Sequence, residues 1–274
     1  MTTRIRWINP LGVTGFDQPI ADTIAAVKEP DTEVEVVSLA LPEPIAHVEY
    51  RAYEALTYGE IVRLAYEGGR SGYDAMVIGC FYDPALKEAR EVSGEMVVVA
   101  PCMAAVQVAL TLANRFSVII GRRKWEEQMT ECVRANGAGH NLASMRSIDM
   151  GVEQLQADHK ETERRIIEAA RLAVREDHAE AVILGCTGEY GFHDVVQREV
   201  GVPVIDAVCA PFKLAEHMAN LKRRMGWRPS RVHSCESPPM HEIERFGLFR
   251  QRPAIANTIV IPAGARRTAA AAAE

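Results

Sequence analysis

The chain carries one unit twice, and that repetition limits what it can fold into. Residues 73–104 read YDAMVIGCFYDPALKEAREVSGEMVVVAPCMA, and residues 180–210 read EAVILGCTGEYGFHDVVQREVGVPVIDAVCA. Each opens with an apolar run and passes through Gly-Cys into a short polar loop. Each continues through an amphipathic stretch and closes with a second apolar run near another Cys-Ala. Cys102 follows Cys80 by 22 positions, and Cys209 follows Cys186 by 23. Internal similarity on this scale predicts two related lobes. AMVIG and AVILG are short and continuously apolar, as strands covered on both faces of a parallel sheet are. ALKEAREVS and HDVVQREVG stand where crossover helices belong, and VVVA and PVID read as the strands that follow.

The flanking segments fit the same plan. IRWIN and FSVII each open a lobe, and EVEVVSL reads as a further strand. Residues 52–68 and 154–177 read as long helices ahead of each Gly-Cys unit, the second with one apolar stripe and acidic residues early. The alternation of β and α predicts an α/β fold of two pseudo-symmetric, doubly wound lobes with parallel sheets and a site in the cleft between them. Residues 1–103 with about 208–225 form the expected first lobe, and 104–207 the second. Residues 226–274 read as a C-terminal extension. Within it HEIERFGLF reads as a short helix, and the low-complexity end ARRTAAAAAE reads as disordered.

Length and composition exclude several classes. A chain of 274 residues accommodates two such lobes. Its net charge of −6, with no basic stripe interleaved with aromatics, argues against a nucleic-acid partner. No apolar run reaches the roughly 18 residues of a membrane span. The start, MTTRIRWINP, lacks the apolar core of a secretory signal, so a cytoplasmic protein is expected. Six cysteines in a reducing compartment are then free thiols, each of them core filler, ligand or nucleophile.

A cysteine ending a buried strand is more often core than catalyst. Cys80 and Cys186 rise above that because they occupy equivalent places, each behind a glycine at a strand's carboxyl end, where open α/β sheets bind ligands. Loop N–H groups there are expected to lower a thiol pKa. Related by a twofold axis, the two thiols face each other across the cleft. One thiolate then removes a proton from carbon while the opposite thiol returns one, with loop amides and the Thr187 hydroxyl holding the developing oxyanion. Cys102 and Cys209 are equivalent too but lie further from the strand exits. Cys132 and Cys235 read as structural or incidental. Glu189, close to the second thiol, either orients substrate or raises that thiol's pKa, or is an exposed loop charge. His193 reads as a helix-surface residue near the cleft. Arg122 and Arg123, at the carboxyl end of FSVII, either bind a substrate carbonyl or carboxylate or form a solvated pair. No metal-ligand spacing, dinucleotide loop, Walker loop or GxSxG elbow occurs, so no metal or cofactor is expected.

The motifs INP at 8–10, VIGCFYDPALKEARE at 77–91, RFSVIIGRRKW at 115–125, VILGCTGE at 182–189 and GVPVIDAV at 201–208 resemble the aspartate/glutamate racemase superfamily. Within it the chain is most similar to the hydantoin/allantoin racemase branch, over roughly residues 4–220. The resemblance implies two pseudo-symmetric lobes, no cofactor, Cys80 and Cys186 as acid and base, and Asn9, Phe81, Tyr82, Thr187 and Gly188 around a small-molecule substrate. It also suggests a homo-oligomer. The expected reaction is racemisation of a 5-substituted hydantoin or related cyclic ureide. The start NPLGVTGFD and the later GCTGE differ from the DSGxGG and GCTH of amino-acid racemases. Arylmalonate decarboxylases resemble the chain but retain one of the two cysteines, and maleate isomerases keep both. A small-diacid enzyme, or a non-catalytic ligand-binding relative, is therefore the alternative. PCMAA at 101–105 departs from the Glu-Ala element common in hydantoin racemases.

Overall fold

The computed structural model describes residues 2–264, and they form two sheets, each with its own core. The strands are β1 (Thr3–Asn9), β2 (Thr32–Leu39), β3 (Ala75–Ile78), β4 (Val97–Val99), β5 (Phe116–Ile120), β6 (Leu142–Ser147), β7 (Ala181–Leu184), β8 (Val204–Ile205) and β9 (Ile255–Ile261). The first sheet runs β4-β3-β1-β2-β9 and the second β6-β5-β7-β8. Read from the other end, the second is β8-β7-β5-β6. The first eight strands thus follow one order in both sheets, all pairing parallel. In both, the order reverses between the first and third strands of the lobe, the point at which such sheets open a ligand crevice.

The central strands are continuous apolar runs because helices cover both their faces. All four residues of β3 and all four of β7 are fully buried. Each crossover helix is short, Leu86–Val92 in the first lobe and His193–Val200 in the second. The lobes then exchange cover. Helix Pro101–Leu112, which follows β4, packs on β7 and β8, whereas helix Cys209–Met225, which follows β8, packs on β1, β3 and β4. Phe212, Ala215 and Ala219 of the latter enter the first core. Helix His159–Glu176 buries the predicted stripe through Ile166, Ala169, Ala170 and Ala173, and the Asp158 carboxylate caps it by accepting from Glu161 N at 3.1 Å. The helix expected over 52–68 is instead two, Arg51–Ala55 and Tyr58–Arg70. The chain turns at Thr57, whose hydroxyl donates to Glu54 O at 2.7 Å.

The C-terminal segment corrects the sequence reading. It does contain a helix, Met240–Phe246, which buries Ile243. Beyond that, Ile255–Ile261 returns to the first sheet and pairs antiparallel with β2, from Val34 opposite Ile261 to Leu39 opposite Ile255. The first sheet is therefore mixed. A β-branched segment satisfies the backbone of β2 that would otherwise form the sheet edge. The expectation of disorder over the last ten residues lies outside the described residues. Among the described residues no helix is long and apolar enough to cross a membrane.

Candidate active site

The two Gly-Cys loops share the same backbone anchors. Gly79 N donates to Ile8 O on β1 at 2.8 Å, and Gly185 N donates to Ile119 O on β5 at 2.8 Å. A Cβ on Gly79 would stand 2.7 Å from Trp7 Nε1 and 2.8 Å from Ile8 O. One on Gly185 would stand 2.6 Å from Ile119 O and 2.8 Å from Val118 Cγ1. Both positions must be glycine because the neighbouring strand occupies the space a side chain needs. Past each cysteine the chain turns in the same way. Asp83 N donates to Cys80 O at 3.0 Å, and Glu189 N donates to Cys186 O at 3.0 Å.

Both cysteines open onto one cavity of about 560 Å³, measured out to its mouth. Asn9 at the end of β1 lines it, together with Gly79, Cys80, Phe81 and Tyr82 from the first loop and Gly185, Cys186, Thr187 and Gly188 from the second. Phe81 and Tyr82 leave the first lobe and join the core of the second, so the first loop bridges the lobes. In return, Thr187 Oγ1 of the second lobe donates to Gly79 O of the first at 3.2 Å.

Burial pushes the Cys80 thiol well above its ordinary range. The Tyr82 amide pulls it back only in part, and a charge on Cys186, near enough to be felt, pushes it further. Burial raises the Cys186 thiol as well, and the Glu189 carboxyl adds to that. Gly188 N, 3.3 Å from Cys186 Sγ, opposes both. The expectation that loop amides would lower the thiol pKa values is thus reversed. Each thiol receives one amide, which does not outweigh desolvation. Both cysteines rest as thiols near neutral pH, and a charge on Glu54 or Cys186 further opposes ionisation of Cys80.

The remaining residues singled out by sequence take varied places. Asn9 lines the cavity, but its amide is committed to Val13 O, Asp17 Oδ1 and Ser38 Oγ at 2.8–3.1 Å. It braces the loop after β1. Arg122 does not line the cavity. Its side chain is 43% exposed and binds Glu49 Oε2 at 2.8 Å. Just before it, at Gly121, a Cβ would stand 2.3 Å from the Trp125 ring and 2.4 Å from Met150 O, so that position has no room for a side chain. Glu189 is fully buried behind Cys186, with neither carboxyl oxygen hydrogen-bonded. His193 Nδ1 lies 3.6 Å from Asp206 Oδ2, away from the cavity wall. Cys102 is buried at the start of helix Pro101–Leu112, and Cys132 Sγ donates to Tyr82 O at 3.2 Å. PCMAA is the first turn of that helix, capped by Asp83, whose carboxylate accepts from Cys102 N and Met103 N at 2.9 Å each.

Among the lining residues that sequence did not single out, two are titratable, His47 and Glu49. They lie on the loop after β2. Glu49 reaches into the second lobe and accepts from Arg122 at 2.8 Å, Val152 N at 3.0 Å and Trp125 Nε1 at 3.2 Å. Burial pulls its pKa upward, but these donors outweigh it and hold the carboxyl below its ordinary range, so it stays ionised. Among the described residues no three His, Cys, Asp or Glu side chains come together as a metal centre requires.

Two doubly wound lobes, each presenting a cysteine from a Gly-Cys loop into a shared cavity, define a class of two-lobed α/β protein with a paired-thiol site. The chain belongs to the Asp/Glu/Hydantoin racemase family, whose model matches residues 5–215, and so falls among the racemase-type isomerases. Its similarities lie on the hydantoin racemase branch. It is 34% identical over 234 residues to a hydantoin racemase of Rhizobium meliloti, spanning 85% of this chain and 94% of that one. It is 31% identical over 248 residues to a hydantoin racemase of Pseudomonas sp. (strain NS671), spanning 89% and 97%. Among solved structures it superposes on an allantoin racemase from Klebsiella pneumoniae with a TM-score of 0.79 at 27% identity, covering 87% of this chain and 94% of the other.

Proposed function

We propose that this protein racemises a 5-substituted hydantoin or a closely related cyclic ureide, with Cys80 and Cys186 acting on opposite faces of carbon 5. The observation that carries this reading is the placement of two thiols on equivalent loops around one cavity. The reaction moves only protons. One cysteine enters as thiolate, takes the hydrogen from carbon 5 and becomes a thiol. The ring carbonyl delocalises the electron pair as an enolate. The other cysteine, entering as thiol, protonates carbon 5 from the opposite face and leaves as thiolate. The charge changes sides with each turnover, and no redox or group-transfer cofactor enters the balance.

The hydrogen inventory of carbon 5 tests the reading. Wild-type protein in deuterated water is expected to exchange the C5 hydrogen of a single-enantiomer hydantoin while its optical rotation decays to zero. Cys80→Ser and Cys186→Ser are each expected to abolish the decay. Undiminished racemisation in either variant overturns the two-thiol mechanism.

A further inference from the structure

A buried hydrogen-bond cluster behind the cavity takes no part in the two-thiol reaction. Its centre is Asp17, fully buried at the start of helix Asp17–Val27 and next to Phe16, which lines the cavity. One oxygen of its carboxylate accepts from Asn9 Nδ2 at 2.8 Å and from Ser38 Oγ at 2.5 Å. The other accepts from Asn257 Nδ2 at 2.9 Å. Asn9 Nδ2 also donates to Val13 O at 3.1 Å and to Ser38 Oγ at 3.0 Å. A carbonyl and a carboxylate can only accept, so the nitrogen end of the Asn9 amide must face them and the oxygen end must face away. Among the described residues no hydrogen bond reaches Asn9 Oδ1, and Asn9, 3% exposed, lines the cavity. The last member of the cluster comes from far along the chain. Asn257 lies on β9, opposite Ser38 in the ladder with β2 and beyond residues 5–215 that the family model matches.

We propose that Asp17, held by Ser38 and by Asn257 of the C-terminal strand, is a positioning residue that turns Asn9 Oδ1 into the cavity, where this oxygen accepts the ring N–H adjoining carbon 5. The inference rests on the hydantoin reading above and deepens it. Asn9 directly follows Ile8, whose carbonyl anchors Gly79 ahead of Cys80. Its amide therefore stands beside the first thiol loop, and the N–H next to the reacting carbon is the donor that comes closest to it. The bond holds carbon 5 in register with the loops that carry the thiols. An unrestrained amide would present either end, so the orientation belongs to Asp17 and not to Asn9 itself. A ring with oxygen in place of that N–H meets Asn9 Oδ1 as a second acceptor, and both then lose their water without gaining a hydrogen bond.

The test compares 5-benzylhydantoin with 5-benzyl-1,3-oxazolidine-2,4-dione, the same ring with oxygen replacing that one N–H. Racemisation and C5 deuterium exchange are read for both, each divided by its rate in buffer alone. In wild-type protein kcat/KM for the hydantoin is expected to exceed that for the dione by about 100-fold. In Asn9→Ala and in Asp17→Ala this ratio is expected to fall by about 10-fold. In Asp17→Asn the new carbonyl still accepts from Asn9 and Ser38 while its amide meets a reversed Asn257, so the ratio is expected to stay within about threefold of wild type. Asn257→Ala, at a half-buried strand position, is expected to lower the ratio by about threefold, and it keeps the test decisive should Asp17→Ala fail to fold. Both substrates meet the same preparation, so loss of folded protein alone leaves the ratio unmoved. A wild-type ratio below about threefold overturns the N–H contact and leaves the racemase reading intact. A ratio that falls in Asn9→Ala but in neither Asp17→Ala nor Asn257→Ala overturns the positioning role. No exchange of 5-benzylhydantoin by wild-type protein overturns the racemase reading and this inference with it.

Discussion

Asp83 and Glu189 occupy the same place in the two Gly-Cys loops and do opposite things. Each stands three residues past its cysteine, with its amide closed onto that cysteine's carbonyl. Asp83 turns its carboxylate onto the first amides of helix Pro101–Leu112. The corresponding helix of the other lobe, Cys209–Met225, is already capped by Asp206, which accepts from Val208 N at 2.7 Å and Cys209 N at 2.8 Å. Glu189 has no helix amides left to cap. Its carboxyl is buried with neither oxygen in a well-formed hydrogen bond; burial raises its pKa well above the ordinary range, the nearby amides of Cys186 and Gly185 draw it back only in part, and Asp206 pushes it further. Twofold symmetry of the backbone thus coexists with asymmetry of partners, although burial raises Asp83 too, to about 7, against the pull of its two amides. Each carboxyl opposes ionisation of its own thiol, the first from an anchored loop and the second from a position that caps no helix.

The largest expected effect breaks the symmetry at the thiols themselves. Cys80→Ala or Cys186→Ala should each lower racemisation by about a thousandfold, since each removes one of two proton carriers. Optical rotation of a single-enantiomer substrate reads this directly. A loss below tenfold in either variant would mean that the two cysteines do not share the work.

The next effect concerns the carboxyls and is opposite in sign for the two. Asp83→Ala removes a helix cap and should cost about 1–2 kcal/mol in denaturant unfolding. Glu189→Met should instead stabilise. The folded pKa of Glu189 lies above its unfolded value near 4.3, so the unfolded chain ionises first as pH rises, and folding loses stability from there upward. The gain from Glu189→Met should therefore be absent near pH 4 and present at pH 8. The same substitution should speed alkylation of Cys186 by iodoacetamide relative to Cys80, mapped by peptide mass spectrometry. Destabilisation at pH 8 with unchanged alkylation would remove the asymmetry.

A smaller effect follows from both thiols being raised by burial. kcat/KM should climb between pH 7 and pH 9 as the single-thiolate form becomes populated, and a profile flat across that range contradicts resting thiols. The smallest belongs to Arg122, which points away from the cavity. Arg122→Ala should change KM by no more than about threefold, as befits a half-exposed ion pair. A hundredfold rise would return Arg122 to the substrate.

Local features made much of this legible in the sequence. A glycine before each cysteine, an apolar run before that and a loop after it are short-range signals, and the close approach of β1 and β5 to those glycines explains why they recur. The parts that sequence hid depend on tertiary approach. Glu49 comes from an irregular loop, and its three partners lie 73 to 103 residues away. The strand IANTIVI carries β-branched residues that suit a sheet, but nothing local says that its partner is β2, more than 200 residues earlier. The unemployed carboxyl of Glu189 becomes visible only once Asp206 is seen to have taken its helix.

The most direct test of opposed thiols uses each enantiomer of one hydantoin separately, with Cys80→Ala and Cys186→Ala in deuterated water. A lone thiolate can remove and return hydrogen on its own face without inversion. Each variant should therefore exchange the C5 hydrogen of one enantiomer only, and the two variants should choose opposite enantiomers. Exchange of the same enantiomer by both would place the two sulfurs on one side of the carbon and contradict the account.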